Sequence, residues 1–586
     1  MSALVNALDN YTPQQIGENG HVEFSWSNNI QEKILQFFFQ ITRTDDKGVA
    51  RLQSVLTELL TNLSFKIANS ELVERELAKK HLITLYKMIG HTRDIIDGKG
   101  EYTLSYMMIV TWYNFFPSLA LFALTCLVDL GDKSIHQYGS WKDIKYFCRY
   151  CKKVGLEMDH HLIIDAIHLM NDQIRRDSEA LQAGYLNELT LVAEWAPREG
   201  SSFGFLYTPL ATNYFKHYID SAKNEESKAK AILKCKTEYR KLLSSLNKAI
   251  DTLQIKQCDN RWSEINPDKV TSISLMKQKK ALFNLDKNGK ERYPDRTDRV
   301  KCALHFKERV WKAVSGEAEM KGKRVGMADF TNQARQLYKN NQSSVEDKVL
   351  LNSQWRDNSS QNDALGNMIA MVDLSGSMSG DPMDVAIAIG IRIAEKSKLG
   401  KRVMTFTLNP KWVNLDPYSD FISQVEAVEK GEVGYNTDFY KALKLILDTI
   451  VENKMAPEDV QDMTLVMLSD MQIDQAELVP FTGVKKRADM YEVIKRMYAD
   501  AGMRVHGQPY NPPHLLFWNL RSTSGFPSLS SDKNVSMMSG FSPTLLNLFC
   551  DKGITALQTC TPWSMLLQSL DNERYKILGD YLDSIF

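Results

Sequence analysis

The chain has no excess of either charge: its 586 residues carry 72 Lys and Arg against 72 Asp and Glu, so total charge points to no class of partner. Cysteine is scarce. Cys126, Cys148, Cys151, Cys235, Cys258, Cys302, Cys550 and Cys560 are too few and too scattered for a disulfide scaffold, and no basic and apolar leader opens the sequence. These two lacks predict a reducing, cytoplasmic or otherwise intracellular setting and a chain that is not secreted. An unbroken hydrophobic run of membrane-spanning length is also missing. The most apolar stretch, 107–128, is interrupted by Asn114, Pro117 and Ser118, which predicts two buried helices meeting near Pro117 and no membrane partner. Zinc is disfavoured as well. Cys148 and Cys151 stand three apart with His160, His161 and His168 downstream, but no second close Cys or His pair completes a ligand set, and 141–153 reads as a helix with Cys148 on its apolar face.

What is present is a folded composition, 43% hydrophobic and 25% charged, on a length that asks for two or three cores. Charge is balanced overall yet uneven locally. Residues 221–330 hold 26 basic and 15 acidic side chains, whereas 411–480 hold 5 and 14. Residues 1–28 form an N-terminal segment. From Asn29 to Asn340 apolar residues recur at helical spacing, as in 52–67, 72–89, 161–174 and 228–253, with breakers at 97–100, 139–140 and 196–197. Successive helices over that length predict a helical-repeat array of the HEAT kind, although no fixed period is visible. The polar stretch 341–365 reads as a joint between domains. Beyond it, β-rich apolar runs at 368–372, 402–407, 463–468 and 515–520 alternate with helical segments at 385–396, 439–450 and 491–498. That alternation predicts a doubly wound, Rossmann-like α/β domain over 366–555. The tail, 556–586, reads as an amphipathic helix through Met565, Leu566, Leu570, Tyr575, Leu578 and Leu582, free to pack on either domain or on another copy.

The first of these strands runs directly into Asp373-Leu374-Ser375-Gly376-Ser377-Met378-Ser379-Gly380, with Asp381 a good N-cap and Pro382 placed where a missing N–H costs nothing. Open α/β sheets bind ligands at the carboxyl ends of their strands. The D-x-S-x-S spacing puts Asp373, Ser375 and Ser377 on one side of a turn that Gly376 lets bend. All three are hard oxygen donors suited to Mg²⁺, with Mn²⁺ or Ca²⁺ as alternatives. Other loops of this kind fail on the letters: no Lys follows for a phosphate-cradling loop, Met378 stands where a nucleophile elbow needs Ser, and Ser375 where an aspartyl phosphatase needs a second Asp.

The pattern resembles the metal-ion-dependent adhesion site of von Willebrand A domains, in which D-x-S-x-S is followed by a Thr and then an Asp on separate loops. The resemblance carries over to Thr437, ahead of the helical segment 439–450, and to Asp470, after the strand at 463–468. It implies a divalent cation with one open position, taken by an acidic side chain of a protein partner. A helical array followed by such a domain is similar to the Ro autoantigen (TROVE) layout, and more closely to a large family of unknown function with the same layout, found in cells and in large DNA viruses. The likeness runs through 93–101, 138–144, 194–199, 239–243, 260–266 and 534–543. It implies RNA binding by the basic segment 221–330, with Lys277, Lys279, Lys280, Arg292, Arg296, Arg299 and Lys301 as candidate phosphate contacts; Trp262 and Trp311 read as core rather than as stacking platforms. The expected function is therefore a non-enzymatic RNA-binding scaffold whose metal site recruits a partner. An assembly or adhesion factor that works through the metal site without RNA is the alternative. A metal-dependent hydrolase is the third reading, and would need Asp438 or Asp474 as its base.

Overall fold

A computed structural model describes residues 11–586 except 133, 341–343, 407–408, 431–438, 473–489 and 551–553. Its N-terminal half is built of helices. Helix Asp46–Asn69 is started by the Asp45 carboxylate, which accepts the Gly48 N–H at 2.8 Å. Leu52, Leu56, Leu59, Leu60 and Leu63 give it one buried stripe, which packs against helix Leu72–Arg93. Two helices, Tyr102–Tyr113 and Pro117–Cys126, do meet at Pro117, which sits in the first turn of the second. No described helix is long and apolar enough to cross a membrane.

The C-terminal half holds a six-stranded sheet in the order β5-β4-β3-β6-β7-β8: β3 Met368–Asp373, β4 Arg402–Phe406, β5 Lys411–Asn414, β6 Thr464–Ser469, β7 His514–Asn519 and β8 Val535–Ser539. All neighbours are parallel except the edge strand β5. Every residue of β3, β6, β7 and β8 is buried, as a sheet covered on both faces requires. On one face Met368, Ala370 and Val372 pack with helix Asp381–Lys396. On the other, Ile369 and Met371 share a core with helices Phe439–Glu452 and Met490–His506, and that core is continuous with the N-terminal helices.

The polar stretch 341–365 contains more than a joint. Helix Val345–Ser359 lies in it, and its Trp355 stacks on Phe421 at 3.8 Å between ring centroids. Arg392 of the α/β half is buried and donates to Asn362 Oδ1 at 2.7 Å and Asn358 Oδ1 at 2.9 Å, with burial pushing its guanidinium down to about 10. The Asn-rich composition that reads as a linker is thus partly a buried amide network. Helix Met327–Lys339, ahead of it, packs on helix Asp381–Lys396 as well.

Several connections hold the halves together. Helix Ile30–Gln40 lies on β8, and Asn519 Nδ2 at the end of β7 donates to Phe39 O at 3.0 Å. Lys99 is buried and donates through Nζ to Phe38 O, Ile41 O and Ser539 Oγ at 2.7–2.9 Å. The tail folds back on its own chain: helix Glu573–Ile585 packs on Leu72–Arg93, and Arg574 clasps Asp94 with two bonds of 2.7 Å. The N-terminal segment carries a small antiparallel hairpin, β1 Gln14–Ile16 and β2 Val22–Phe24.

Candidate metal centre

Strands β3 and β6 are neighbours, but the chain leaves β3 toward β4 on its other side. The sheet order reverses there, and the carboxyl ends of two such strands are where open α/β sheets place a ligand crevice. Asp373 ends β3 at this switch point, wholly buried. Its Oδ1 accepts the Ser375 N–H at 2.8 Å and its Oδ2 accepts the Ser469 hydroxyl at 2.6 Å. The loop then makes a single 3₁₀ turn, Gly376–Met378, pinned by the buried Met378. That turn brings Ser375 Oγ to 3.0 Å from Ser377 Oγ.

Two details of the loop differ from expectation. A Cβ on Gly376 would meet nothing, so that glycine is not what lets the turn bend; Gly380, at φ +93°, is the position that favours glycine. Gly380 is also the N-cap of helix Asp381–Lys396, so Asp381 falls in the first turn and pairs with Arg43 at 3.1 Å instead.

Asp470 follows β6 and is also wholly buried. Its Oδ1 accepts the Gln472 N–H at 3.1 Å, and the nearby Ser377 hydroxyl favours the charged form of the same carboxylate. No donor reaches Oδ2. The one cation beside it among the described residues is Arg521, 48% exposed, whose Nη1 stands 3.6 Å away while donating to Ser377 O at 3.1 Å. Burial, then repulsion from Asp470, pushes Asp373 up to about 7; burial raises Asp470 too.

Asp373, Ser375, Ser377 and Asp470 therefore converge, while Thr437, like Asp438 and Asp474, lies outside the described residues. The fit to a hard divalent cation can be judged on the donors present. Two buried carboxylates and two hydroxyls converge, Asp470 Oδ2 accepts no hydrogen bond, and among the described residues the one positive charge beside it is a half-exposed guanidinium. Burying carboxylates is costly, and hard oxygen donors of this kind suit a divalent cation. Among the described residues no three His, Cys, Asp or Glu gather as a ligand set, here or elsewhere, so any cation here would rest on two carboxylates and on hydroxyls. Ser469, Arg521 and Gln472 are the members that the sequence reading leaves out. Ser469 and Arg521 carry a usable signal, because they lie at the carboxyl ends of β6 and β7, beside the crevice.

The basic candidates scatter. Arg299 is buried, stacked over Trp262 at 3.5 Å and donating to Ala281 O, so its charge is spent on the small core that Trp262 shares with Leu282, Phe306 and Val310. Lys279 is paired with Asp347, Lys280 donates to Lys287 O, and Arg296 donates to Asn260 Oδ1 while sharing the Tyr293 ring with Arg292. Lys277 and Lys301 are exposed. Trp262 is buried as expected, but Trp311 is 50% exposed and is not core. A tighter cationic array lies elsewhere. On helix Lys142–Lys153, Lys142, Lys145, Arg149 and Lys152 repeat at helical spacing along one stripe, and among the described residues none of them lies in an ion pair. Lys145 and Arg149 sit over Phe203, Lys145 also over Trp195, and Lys152 over Phe205, at 4.2–5.2 Å. Lys277 and Arg198 add their fields to Lys142 and Lys145, and Glu194 partly offsets Lys145. The opposite face buries Cys148 and Cys151, whose thiols burial pushes up, Cys148 to about 12; they are core residues, and His160 caps the next helix by accepting the Leu162 N–H.

Comparison with known proteins adds relatives. Residues 367–573 match a family described as "Domain of unknown function (DUF7788)", and residues 149–358 match a second, "Domain of unknown function (DUF2828)". The second match ends in the last turn of helix Val345–Ser359, and the first, which begins at Asn367, takes in the whole Asp373–Asp470 cluster. Over 568 residues the chain is 27% identical to an uncharacterized protein, L728, of Acanthamoeba polyphaga mimivirus, covering 94% of this chain and 86% of that protein.

Proposed function

We propose that this chain is a non-enzymatic scaffold whose α/β half acts as a von Willebrand A-like adhesion module. Asp373, Ser375, Ser377 and Asp470, with Thr437, would hold a divalent cation, Mg²⁺ first, and the bound cation would supply a Lewis-acidic point for an acidic side chain of a partner. The observation that carries this reading is the convergence of two wholly buried carboxylates, Asp373 and Asp470, with the Ser375 and Ser377 hydroxyls at the switch point, where Asp470 Oδ2 accepts no hydrogen bond and has only the half-exposed Arg521 beside it among the described residues. The protein's own part is to hold the oxygens in place. Ser469 and the Ser375 N–H orient Asp373, Gln472 orients Asp470, and the buried walls keep both carboxylates out of water. The test is calorimetric titration of the purified chain with Mg²⁺ and Mn²⁺ beside Asp373→Ala. Binding that disappears in the variant supports the site, and equal binding in both removes it.

RNA binding is the second reading, and it is favoured by the stripe of helix Lys142–Lys153 more than by the residues 277–301. Cation–π contacts hold Lys145 and Arg149 in place without neutralising them, which is what a preformed phosphate contact needs. A structured RNA titrated across salt and in EDTA tests it. A steep salt slope that survives chelation supports an RNA scaffold, and no binding at low salt leaves adhesion as the whole function.

A further inference from the structure

We propose that a cavity where the two halves and the tail meet is a binding site for a small organic amine, held by its ammonium at the mouth and by a neutral polar group at the floor. The cavity has a volume of about 540 Å³, within the range of about 300–1,000 Å³ that small-molecule sites occupy, and such sites favour the joints between domains. Each part of the chain supplies a wall. The helical half gives His91, from helix Leu72–Arg93, and Asp97 in the loop that follows. The α/β half gives Leu545 and Leu548 of the 3₁₀ turn Pro543–Phe549, and the tail gives Asp571 and Asn572, just after helix Pro562–Leu570.

Much of the polar lining is already spent. Asn547 donates to Gln361 O and accepts from Asn362, the Ser569 hydroxyl donates to Met565 O, and Thr544 shares a hydrogen bond with Ser542. His91 and Asp571 are different. The His91 ring, held between Phe38 and Tyr575, is only 1% exposed, yet its Nδ1 has no hydrogen-bond partner, a costly state for a buried polar atom. Asp571 is exposed at the rim, and among the described residues no donor or cation reaches its carboxylate. Charge then sets which way round the ligand lies. Burial holds the His91 ring neutral, and Lys99 is close enough to disfavour a further positive charge there. The floor therefore takes an uncharged donor or acceptor. The mouth has two carboxylates, Asp97 and Asp571, and among the described residues no cation lines it. Arg574 comes within 4.0 Å of Asp97 but clasps Asp94, and Arg324 donates to Ile95 O. An ammonium belongs at that end, with the apolar body of the ligand against Leu545 and Leu548. A ligand seated in this way touches three parts of the chain at once, so it binds their folded arrangement and stabilises it.

The experiment is ligand-detected NMR of the full chain with tyramine, a primary amine whose phenol hydroxyl supplies the neutral polar end, beside hydroxyphenylpropionate, its carboxylate counterpart. Asp571→Asn and His91→Phe are titrated in the same way, after thermal melts have established that each is folded. Expected is binding of tyramine but not of the acid, and a loss of affinity of about tenfold or more in each variant, as for a hydrogen bond to a charged or buried group. No tyramine binding by the unmodified chain overturns the site. An affinity unchanged in Asp571→Asn overturns the ammonium at the mouth, and one unchanged in His91→Phe overturns the cavity as the place of binding. Equal binding of the acid overturns the choice of an amine. Should His91→Phe fail to fold, Asp571→Asn decides alone, since that side chain is exposed.

Discussion

The two halves of the molecule treat buried charge in opposite ways. In the helical half several buried ions are answered. Arg93 and Asp143 form a two-pronged pair of 2.6 and 2.8 Å, and Asp143 also accepts the Tyr106 hydroxyl and the Ser140 N–H. Asp94 accepts both prongs of Arg574 and the Tyr575 hydroxyl. Lys99 has three oxygens for its three N–H groups. At the switch point of the sheet Asp373 and Asp470 are as deeply buried, and among the described residues the one cation beside them is the half-exposed Arg521, 3.6 Å from Asp470. The same fold closes its charge ledger in one place and leaves it open in another, and the open place is where a ligand belongs.

The contrast can be broken by removing one partner on each side. Asp143→Ala strands Arg93 in the core and should cost about 3–5 kcal/mol in chemical denaturation; a cost below about 1 kcal/mol would mean that water reaches the pair. Acid should act next on the same half. His91 is held down to about 3 by burial and then Lys99, and His81 to about 4 by burial and then Lys66; both rings touch the tail, at Tyr575 and Trp563. The folded values lie below the unfolded one of about 6.5, so as pH falls from there toward 4 the unfolded chain takes up protons that the native chain refuses. Stability is lost in that window at up to about 1.4 kcal/mol per pH unit for each histidine. Urea melts across pH on the unmodified chain and a His81→Asn, His91→Asn double variant check this, the variant being expected to show the flatter profile.

Much of this contrast is legible in the sequence on its α/β side. The strands β3, β4, β6 and β7 announce themselves as apolar runs, and D-x-S-x-S after a strand marks Asp373 as a candidate ligand position before any coordinates. Asp470 follows from the next strand that ends in a carboxylate. What stays hidden is short or non-local. β5 has four residues and β8 five, with polar positions that blur an apolar run, and the hairpin strands have three each. The amides of Asn358 and Asn362 look like a linker because the Arg392 that buries them lies thirty or more residues on. Arg299 looks like a surface charge because nothing in its neighbourhood says that Trp262 will cover it. Local composition reports propensity, whereas burial of a polar group depends on a partner that the fold supplies from elsewhere.

On the open side the expected signs reverse. In a chelator Asp373→Asn removes one of two buried carboxylates while its side-chain carbonyl can still accept the Ser375 N–H, so the variant should melt no lower than the unmodified chain. Adding Mg²⁺ should then separate them. The unmodified chain gains about 2.7 kcal/mol when free cation is a hundredfold above its dissociation constant, and the variant gains nothing, as thermal melts at matched ionic strength would record. Equal gains in both would place the cation elsewhere and close the contrast.

The smallest effect on stability is expected where charge is concentrated without being buried. Lys145→Glu with Arg149→Glu alters two half-covered or exposed cations that lie in no ion pair among the described residues, so the melting point should move little, since surface changes away from caps and cores usually stay within about 0.5 kcal/mol. RNA affinity is a different matter if the stripe is the phosphate face. Each phosphate contact removed lowers the slope of log affinity against log salt by about 0.7–0.9, so the double variant should bind more weakly and with a visibly shallower salt dependence. A large drop in melting temperature would instead mean that the cations over Phe203 and Trp195 are mortar for the loop 192–206. The stripe would then belong with Arg299, as charge answered by the fold and unavailable to a partner.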